Sequence, residues 1–474
     1  MARIAVIGAG MGAMATAARL AVAGHRVTVY ERGATYGGAV GRYEREGFAF
    51  DTGPGLLHLP AVYRDLFVKT GKRSLETCVD MAQVDPAVRH VLPHHGVDVS
   101  LPGASRGGVA AALDAAFGQG AGERWNGVLG RARDAWDATR RPLLEEPLPA
   151  DPRALAADPY PALRRSGLLR RRPPTLAEVA GRELGGGLGE LLTGLVGAYG
   201  IDPARAPGSA AVLPYMEQTF GSWYVRGGMR ALATAVHERC RERGVEFVFG
   251  AEVREVRTAG GRAAGLLLAD GSEVEADSVV CGIDPRLLPQ AQGPLPREGV
   301  PARGEDLPSR LTLFLALSGA RPAGTVHRTL VHSAGLDVTV LRPEDPATRP
   351  DADHEAVTVT AVCGPGDARD ATPEGLLELA GKAVPGLRER LLWHEAHTPA
   401  DIEAATGAPG GSVPAPALAG AGGRLLYPAN TTAVAGLYRA GGWAHPGGGL
   451  AHAGMTGALV AGLIVEGAGF RGSQ

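Results

Sequence analysis

An α/β protein with two lobes is predicted for this chain, and three observations predict it. Roughly the first thirty residues read strand, glycine turn, helix, strand and acid, the order of a Rossmann-type unit. Between residues 308 and 365, the runs LTLFLAL, HRTLVH, DVTVLRP and EAVTVTAV have the β-branched and apolar make-up of strands in one open sheet. The length, 474 residues, exceeds what one hydrophobic core serves.

Each element follows from its residues. Arg3 to Ile7 is a short apolar run of the kind that is buried on both faces. The glycine-rich residues 8–12 form a turn, and Met14 to Ala23 reads as a helix rich in small residues, closed by Gly24. Arg26 to Tyr30 is the second strand, ending at Glu31. Residues 105–210 alternate Ala- and Leu-rich helical segments with breaks at Pro142, Pro147, Pro149 and Pro161, so a mostly helical insertion is expected there. From Gly244 to Asp284 the pattern turns to strands, with Asp270–Gly271 as a hairpin signal. Thr372 to Leu392 reads as helical and 405–423 as a Gly/Ala/Pro loop. A strand (AGLYRAGG), a glycine loop and a buried apolar helix over 453–465 end the chain.

Composition excludes several classes. The formal net charge is -2 with 21% charged residues, so there is no basic field to attract nucleic acid. Cys78, Cys240, Cys281 and Cys363 are scattered, which argues against a disulfide framework or zinc site and for a reduced, cytoplasmic setting. The opening MARIAVIGAGMG reads as a first strand, not a signal peptide, and no apolar run suits a membrane span. His90, His94 and His95 have no carboxylate at ligand spacing, so they are read as surface residues and no metal site is expected.

The first chemical motif is Gly8-Ala9-Gly10-Met11-Gly12-Ala13. Gly8 allows the tight turn, Gly10 lets backbone approach a pyrophosphate, and Ala13 takes the small third position where helix meets strand. Met11 and Gly12 lie between, at the helix N-terminus, whose free N–H groups favour anions. Glu31, with Arg32 beside it, is placed for a carboxylate to accept from ribose hydroxyls. That acid argues against a 2′-phosphate, so FAD or NAD is favoured over NADP.

The following stretch, RGATYGGAVGRYEREGFAFDTGP, separates those two. It carries the pair Gly37–Gly38 and the turn Asp51-Thr52-Gly53-Pro54. Here the sequence resembles the bacterial phytoene desaturase family, within the wider group of flavin amine oxidases and carotenoid desaturases. The resemblance implies FAD as cofactor, with Gly37, Gly38, Gly53 and Pro54 in loops beside the pyrophosphate and isoalloxazine. The family usually has Arg directly after the glycine pair; this chain has Ala39, with Arg42 three residues later as the cation nearest that place. Further on, Tyr224, Gly227, Gly228 and Met229 match a family turn that opens a helix, with Val225 where Pro is usual. Trp223 and Tyr224 are candidates to line the flavin or an elongated apolar site, or else are core aromatics at a turn. The resemblance implies that Val253 meets the adenine with its backbone. In GLYRAGGWAHPGGGLAHAG, the residues Gly441, His445, Pro446, Gly447 and Gly449 match the family's C-terminal flavin signature, with Gly442 alongside. A helix starting near Leu450 would aim N–H groups at the flavin N1–C2=O and stabilise its reduced, anionic form.

The resemblance implies a two-part molecule. Residues 1–75, 211–285 and 416–474 would make a discontinuous FAD-binding domain, and 76–210 with 286–415 a substrate domain of mixed sheet plus the helical insertion. The expected reaction is desaturation of an apolar, isoprenoid or carotenoid-like substrate, with a hydride passing to flavin N5 and oxygen or a quinone as final acceptor. His445, His58 and Trp223 are the candidates near the chemistry, with a structural imidazole as the alternative for His445. Competing readings are an oxidase or desaturase of an amine or other natural-product intermediate, a flavin-dependent isomerase, and a non-catalytic flavoprotein. The Arg- and Leu-rich run from Leu163 to Arg172 suits either a peripheral contact with the inner face of a membrane or a solvated basic surface.

Overall fold

The computed structural model describes residues 1–71, 73–161, 172–292, 307–333, 335–364 and 371–472. Strands β1 (Arg3–Ile7), β2 (Arg26–Glu31), β10 (Glu246–Phe249), β14 (Ser278–Cys281) and β20 (Leu437–Arg439) form a parallel sheet in the order β10-β2-β1-β14-β20. Three remote stretches of sequence therefore meet in one sheet. β1 is buried on both faces because its alternate residues serve two cores. Ile4 and Val6 pack with helices α1 (Met11–Val22), α2 (Ala61–Thr70), α9 (Met229–Glu242) and α13 (Leu450–Val465). Ala5 and Ile7 pack with the antiparallel meander β11 (Val253–Ala259), β12 (Arg262–Leu268) and β13 (Glu273–Glu275).

The second sheet has seven strands. β7 (Val88–Leu92), β8 (Val97–Leu101), β15 (Ser309–Ser318), β16 (Arg328–Val331), β17 (Val338–Leu341), β18 (His354–Cys363) and β19 (Leu391–His397) stand in the order β19-β15-β18-β17-β16-β7-β8. All neighbours are antiparallel except β16 and β7. Leu313, Leu315, Val357 and Val359 pack under α10 (Pro373–Ala380) and α11 (Leu387–Arg390), and α12 (Pro399–Thr406) follows β19. Phe314 and Ala316 face the other way, onto Phe48 and Phe50 of the hairpin β3 (Arg42–Arg45) and β4 (Phe48–Asp51). A small sheet of β5 (Leu57–His58), β9 (Ser222–Val225) and β6 (Met81–Gln83) joins the two halves. The insertion is helical: α3 (Arg106–Phe117), α4 (Ala121–Arg140), α5 (Arg153–Ala156), α6 (Leu176–Val179), α7 (Gly186–Gly197) and α8 (Val212–Phe220). Trp125, Leu129, Leu191 and Leu213 form its core, which Leu92 and Leu330 of the seven-stranded sheet complete.

Four local readings differ from the sequence expectation. α1 begins at Met11, not Met14, because Gly10 is the extended N-cap residue and the helix starts directly on the glycine turn. Leu391–His397 continues the helical composition before it but is an edge strand, held by pairing with the long β15. The β3–β4 hairpin, turning at Glu46–Gly47, went unread. His90 is not a surface residue. The alternation of β7 turns it under the insertion, fully buried, with its Nδ1 2.9 Å from His332 Nε2. The basic run from Leu163 to Arg172 lies, apart from Arg172, outside the described residues. Among the described residues no helix is long and apolar enough to cross a membrane.

The fold turns on the contact of α1 with α13. A Cβ on Gly12 would lie 2.7 Å from the Ala453 carbonyl oxygen, and one on Gly457 2.8 Å from the Ala15 backbone. Gly457→Val should therefore cost about 1–3 kcal/mol of stability in urea unfolding, the usual range for overpacking.

Candidate flavin site and active site

The N-terminal turn is built to hold an anion. Gly8 has φ +85°, and a Cβ there would lie 2.6 Å from Ile283, so only glycine fits. The space in front of Gly10 is open, since an added Cβ would meet no atom within 4 Å. No side chain caps α1. Glu31 folds its carboxylate across this turn and accepts from the N–H groups of Ala9 at 2.7 Å and Gly33 at 2.7 Å. Gly37 donates its N–H to the Ala9 carbonyl, and a Cβ on Gly38 (φ +58°) would lie 3.1 Å from Gly10 Cα. Two glycine turns thus face each other. Gly53 packs its Cα against the Ala39 carbonyl, while Pro54 is exposed at the same turn.

The C-terminal motif meets them through α13. Gly449 is its N-cap residue (φ +88°), again without a side-chain cap, and Leu450 is the first helical residue. Gly441 donates its N–H to Thr456 Oγ1, and Gly442 packs against Pro414. Two uncapped helix N-termini, two glycine turns and a carboxylate at a strand end are the donor and acceptor set an FAD would need.

Other predicted residues are placed as follows. Val253 opens β11, just after the segment whose Gly250 and Ala251 bond back to Gly33 and Glu31. Arg32 reaches outward to the Ala404 carbonyl. Arg42 turns away from the glycine pair, to Glu44 and the carbonyls of Gly227 and Ala347. The cation beside the pair is Arg230, in the first turn of α9. It donates to the Tyr36 carbonyl, the Val40 carbonyl and Thr35 Oγ1, and lies 4.2 Å from the centre of the Tyr36 ring. Its sequence signal was its place directly after Gly227-Gly228-Met229.

Asp51 is a second residue that the sequence named without a role. Its carboxylate accepts from the N–H groups of Met229 at 2.9 Å and Arg230 at 3.3 Å, capping α9. Burial raises its pKa to about 6, against the opposing pull of those N–H groups and Arg42. Asp345 works alongside, accepting from Tyr224 Oη at 2.8 Å and the Gly227 N–H at 2.6 Å.

Trp223 and His58 do not face the same place. Strand alternation puts Ser222 and Tyr224 on one side of β9 and Trp223 on the other, where its ring nitrogen donates to the Phe220 carbonyl and Arg64 lies over the ring at 5.2 Å. His58, paired with Ser222, lies 3.7 Å from Glu217, which bonds Tyr199 Oη at 2.7 Å and Arg328 at 2.6 Å. Burial works to raise the Glu217 pKa, but Arg328, His58 and Tyr199 outweigh it and hold the carboxyl below its usual range. Burial lowers His58, with Glu217 opposing. Glu217 is a carboxylate on the buried face of α8 beside Val212, Leu213 and Met216, and that misfit was its signal in the sequence.

His445 is fully buried and donates from Nε2 to the Glu146 carbonyl at 2.9 Å; its Nδ1 has no partner among the described residues. Burial pushes His445 and its neighbour His452 down to about 4, so both are neutral near pH 7. His452, in the first turn of α13, lines a small, mostly apolar cavity with Trp136, Leu143, Leu144, Leu213 and Met216, to which Thr139, Arg140 and Ser209 also contribute.

A family model described as flavin containing amine oxidoreductase matches residues 14–465. The chain belongs to that family. It is an FAD-dependent oxidoreductase. A zeta-carotene-forming phytoene desaturase of Myxococcus xanthus is 30% identical, with 73% of this chain and 67% of that protein covered. A hydroxyneurosporene desaturase of Cereibacter sphaeroides is 29% identical over 98% of this chain and 97% of its own. Among solved structures, an oxidoreductase from Methanosarcina mazei shares the fold, with TM-score 0.67 at 17% identity over 96% of this chain and 98% of its own.

Two predictions follow from how this flavoenzyme holds its glycine turns. Arg230→Met should raise the FAD dissociation constant, measured by fluorescence titration of deflavinated protein, by about thirtyfold, or about 2 kcal/mol of charge-assisted hydrogen bonding, whereas Arg42→Met should leave it nearly unchanged. Asp51 favours folding most below its unfolded value, and that contribution is lost as pH rises through about 6. Lowering the pH from 7 to 5 should therefore raise the melting temperature of the flavin-saturated wild type relative to Asp51→Asn.

Proposed function

We propose that this flavoenzyme desaturates a long apolar isoprenoid of the carotenoid type. The observation that supports the reading is a small, mostly apolar cavity between the insertion and α13, lined also by Thr139, Arg140 and Ser209, which reaches His452 beside the helix N-terminus proposed to face the flavin ring. The full-length likeness to a carotenoid desaturase supports the same substrate class. Residues 1–75, 211–285 and 416–474 would hold the cofactor, and 76–210 with 286–415 the substrate.

FAD, when bound, supplies two-electron acceptance. Gly8, Gly10 and the α1 N-terminus would bind its pyrophosphate, Glu31 its ribose, and the α13 N-terminus its ring. Trp136, Leu143, Leu213 and Met216 would align the chain and exclude water, so that orientation provides most of the rate. For the proton, His58 and the Nδ1 of His445 are neutral acceptors near this region. Oxygen or a quinone would take up the electrons, and peripheral membrane contact would serve delivery of such a substrate.

One observation favours a second reading. The Glu217–Arg328–Tyr199–His58 network is polar and buried, and α8 places it one residue from Met216 of the apolar cavity. A substrate with a polar end, oxygenated or amine, would use both surfaces. Anaerobic mixing with a panel of hydrocarbon polyenes, hydroxylated polyenes and diamines decides between these. Polyenes should bleach the yellow flavin and gain visible absorbance as conjugation lengthens. Bleaching by amines alone would overturn the reading, and bleaching by hydroxylated polyenes alone would establish the second.

A further inference from the structure

Between the β7–β8 turn and α7, three side chains converge that play no part in the chemistry above. The 3₁₀ turn Pro93–His95 joins β7 to β8 and presents His94 and His95 together, with ring centres 4.4 Å apart. Glu190 comes from α7. His94 Nε2 lies 2.7 Å from one of its carboxylate oxygens and His95 Nε2 2.9 Å from the other. All the ligand-type atoms fall within 4.8 Å of one another. The sequence hid this group, because Glu190 is nearly a hundred positions from the histidines and only the packing of α7 on the sheet brings it there.

The group is seated by packing. A Cβ on Gly187 would lie 3.1 Å from His95 Cδ2, 3.0 Å from Phe117 and 3.2 Å from Leu92, so glycine at that place in α7 leaves the imidazole its room. Glu190 follows one turn later on the same side of the helix. The rings are partly exposed, 40% and 34%, so a cation has access from solvent.

We propose that His94, His95 and Glu190 form a three-ligand site for a borderline divalent transition-metal cation, zinc or a near neighbour, that staples the turn before β8 to helix α7. Two imidazoles and one carboxylate, without thiolate, are a set that zinc accepts, with its fourth position left to water. Zinc bonds of about 2.0–2.1 Å place tetrahedral ligand atoms about 3.3 Å apart, so the carboxylate needs only a small withdrawal from its present contacts. On binding, the cation replaces the two Nε2 protons; each ring then carries its proton on Nδ1 and gives its Nε2 lone pair to the metal. The bound ion would cross-link the helical insertion to the seven-stranded sheet. This site depends on no part of the flavin reading.

The test is zinc alone, titrated by calorimetry into the flavin-loaded, chelator-stripped full chain. One equivalent should bind with micromolar affinity. H94A/H95A should abolish that binding, and E190Q should weaken it at least about tenfold. Hydrogen exchange across 186–197 should slow with zinc in the wild type alone. Flavin content and melting temperature, unchanged in both variants, separate loss of the site from misfolding. No uptake below millimolar zinc, the same equivalent retained by H94A/H95A, or full affinity in E190Q would overturn the proposal.

Discussion

Everything in the flavin half depends on how closely two helices approach. α1 and α13 approach backbone to backbone at Gly12 and Ala453, and again at Ala15 and Gly457, while Gly12 also packs on Gly441 of the loop before α13. A side chain on Gly12 or Gly457 would part them. That closeness sets both uncapped N-termini on one side of the parallel sheet. Each N-terminus favours an anion by only about 0.3–1 kcal/mol when exposed, and up to about 2 kcal/mol when partly buried. Several such modest donors add together at this place, and none of them is unusual by itself.

The third stretch is pinned by carboxylates that have been committed to backbone. Asp51 caps α9, and Asp345 takes the Gly227 N–H and the Tyr224 hydroxyl. Neither is left free as a base. His445 and His452 are pushed down to about 4 by burial, and His58 is lowered by the same cause.

The sequence disclosed what depends on local rules. The β1–turn–α1–β2 unit follows from glycine spacing and period, and the Asp270–Gly271 hairpin from turn chemistry. The start of α13 at Leu450 follows from the glycines before it. What stayed hidden depends on long-range packing. Arg230 was passed over for Arg42, which was nearer in sequence, because only the docking of α9 shows which guanidinium reaches the Tyr36 carbonyl. His90 reads as a surface residue by its grouping with His94 and His95, yet strand alternation and the insertion above it bury the ring against His332. Leu391–His397 is a strand only because β15 offers it an edge.

The ion pair on α8 is the feature least explained by folding alone. Exchanging a buried Glu–Arg pair for apolar residues of similar volume is often neutral or stabilising. Glu217 and Arg328 nevertheless sit against a core of leucine, alanine, valine and other apolar side chains. What the pair does is fix two groups: the Tyr199 hydroxyl on one carboxylate oxygen and the His58 ring beside it. On the adjoining face of the same helix, Leu213 and Met216 line the apolar cavity. One helix therefore carries both a greasy wall and an ordered polar end. Removing one partner would leave an uncompensated buried charge, so the pair is explained by the two groups it holds in place.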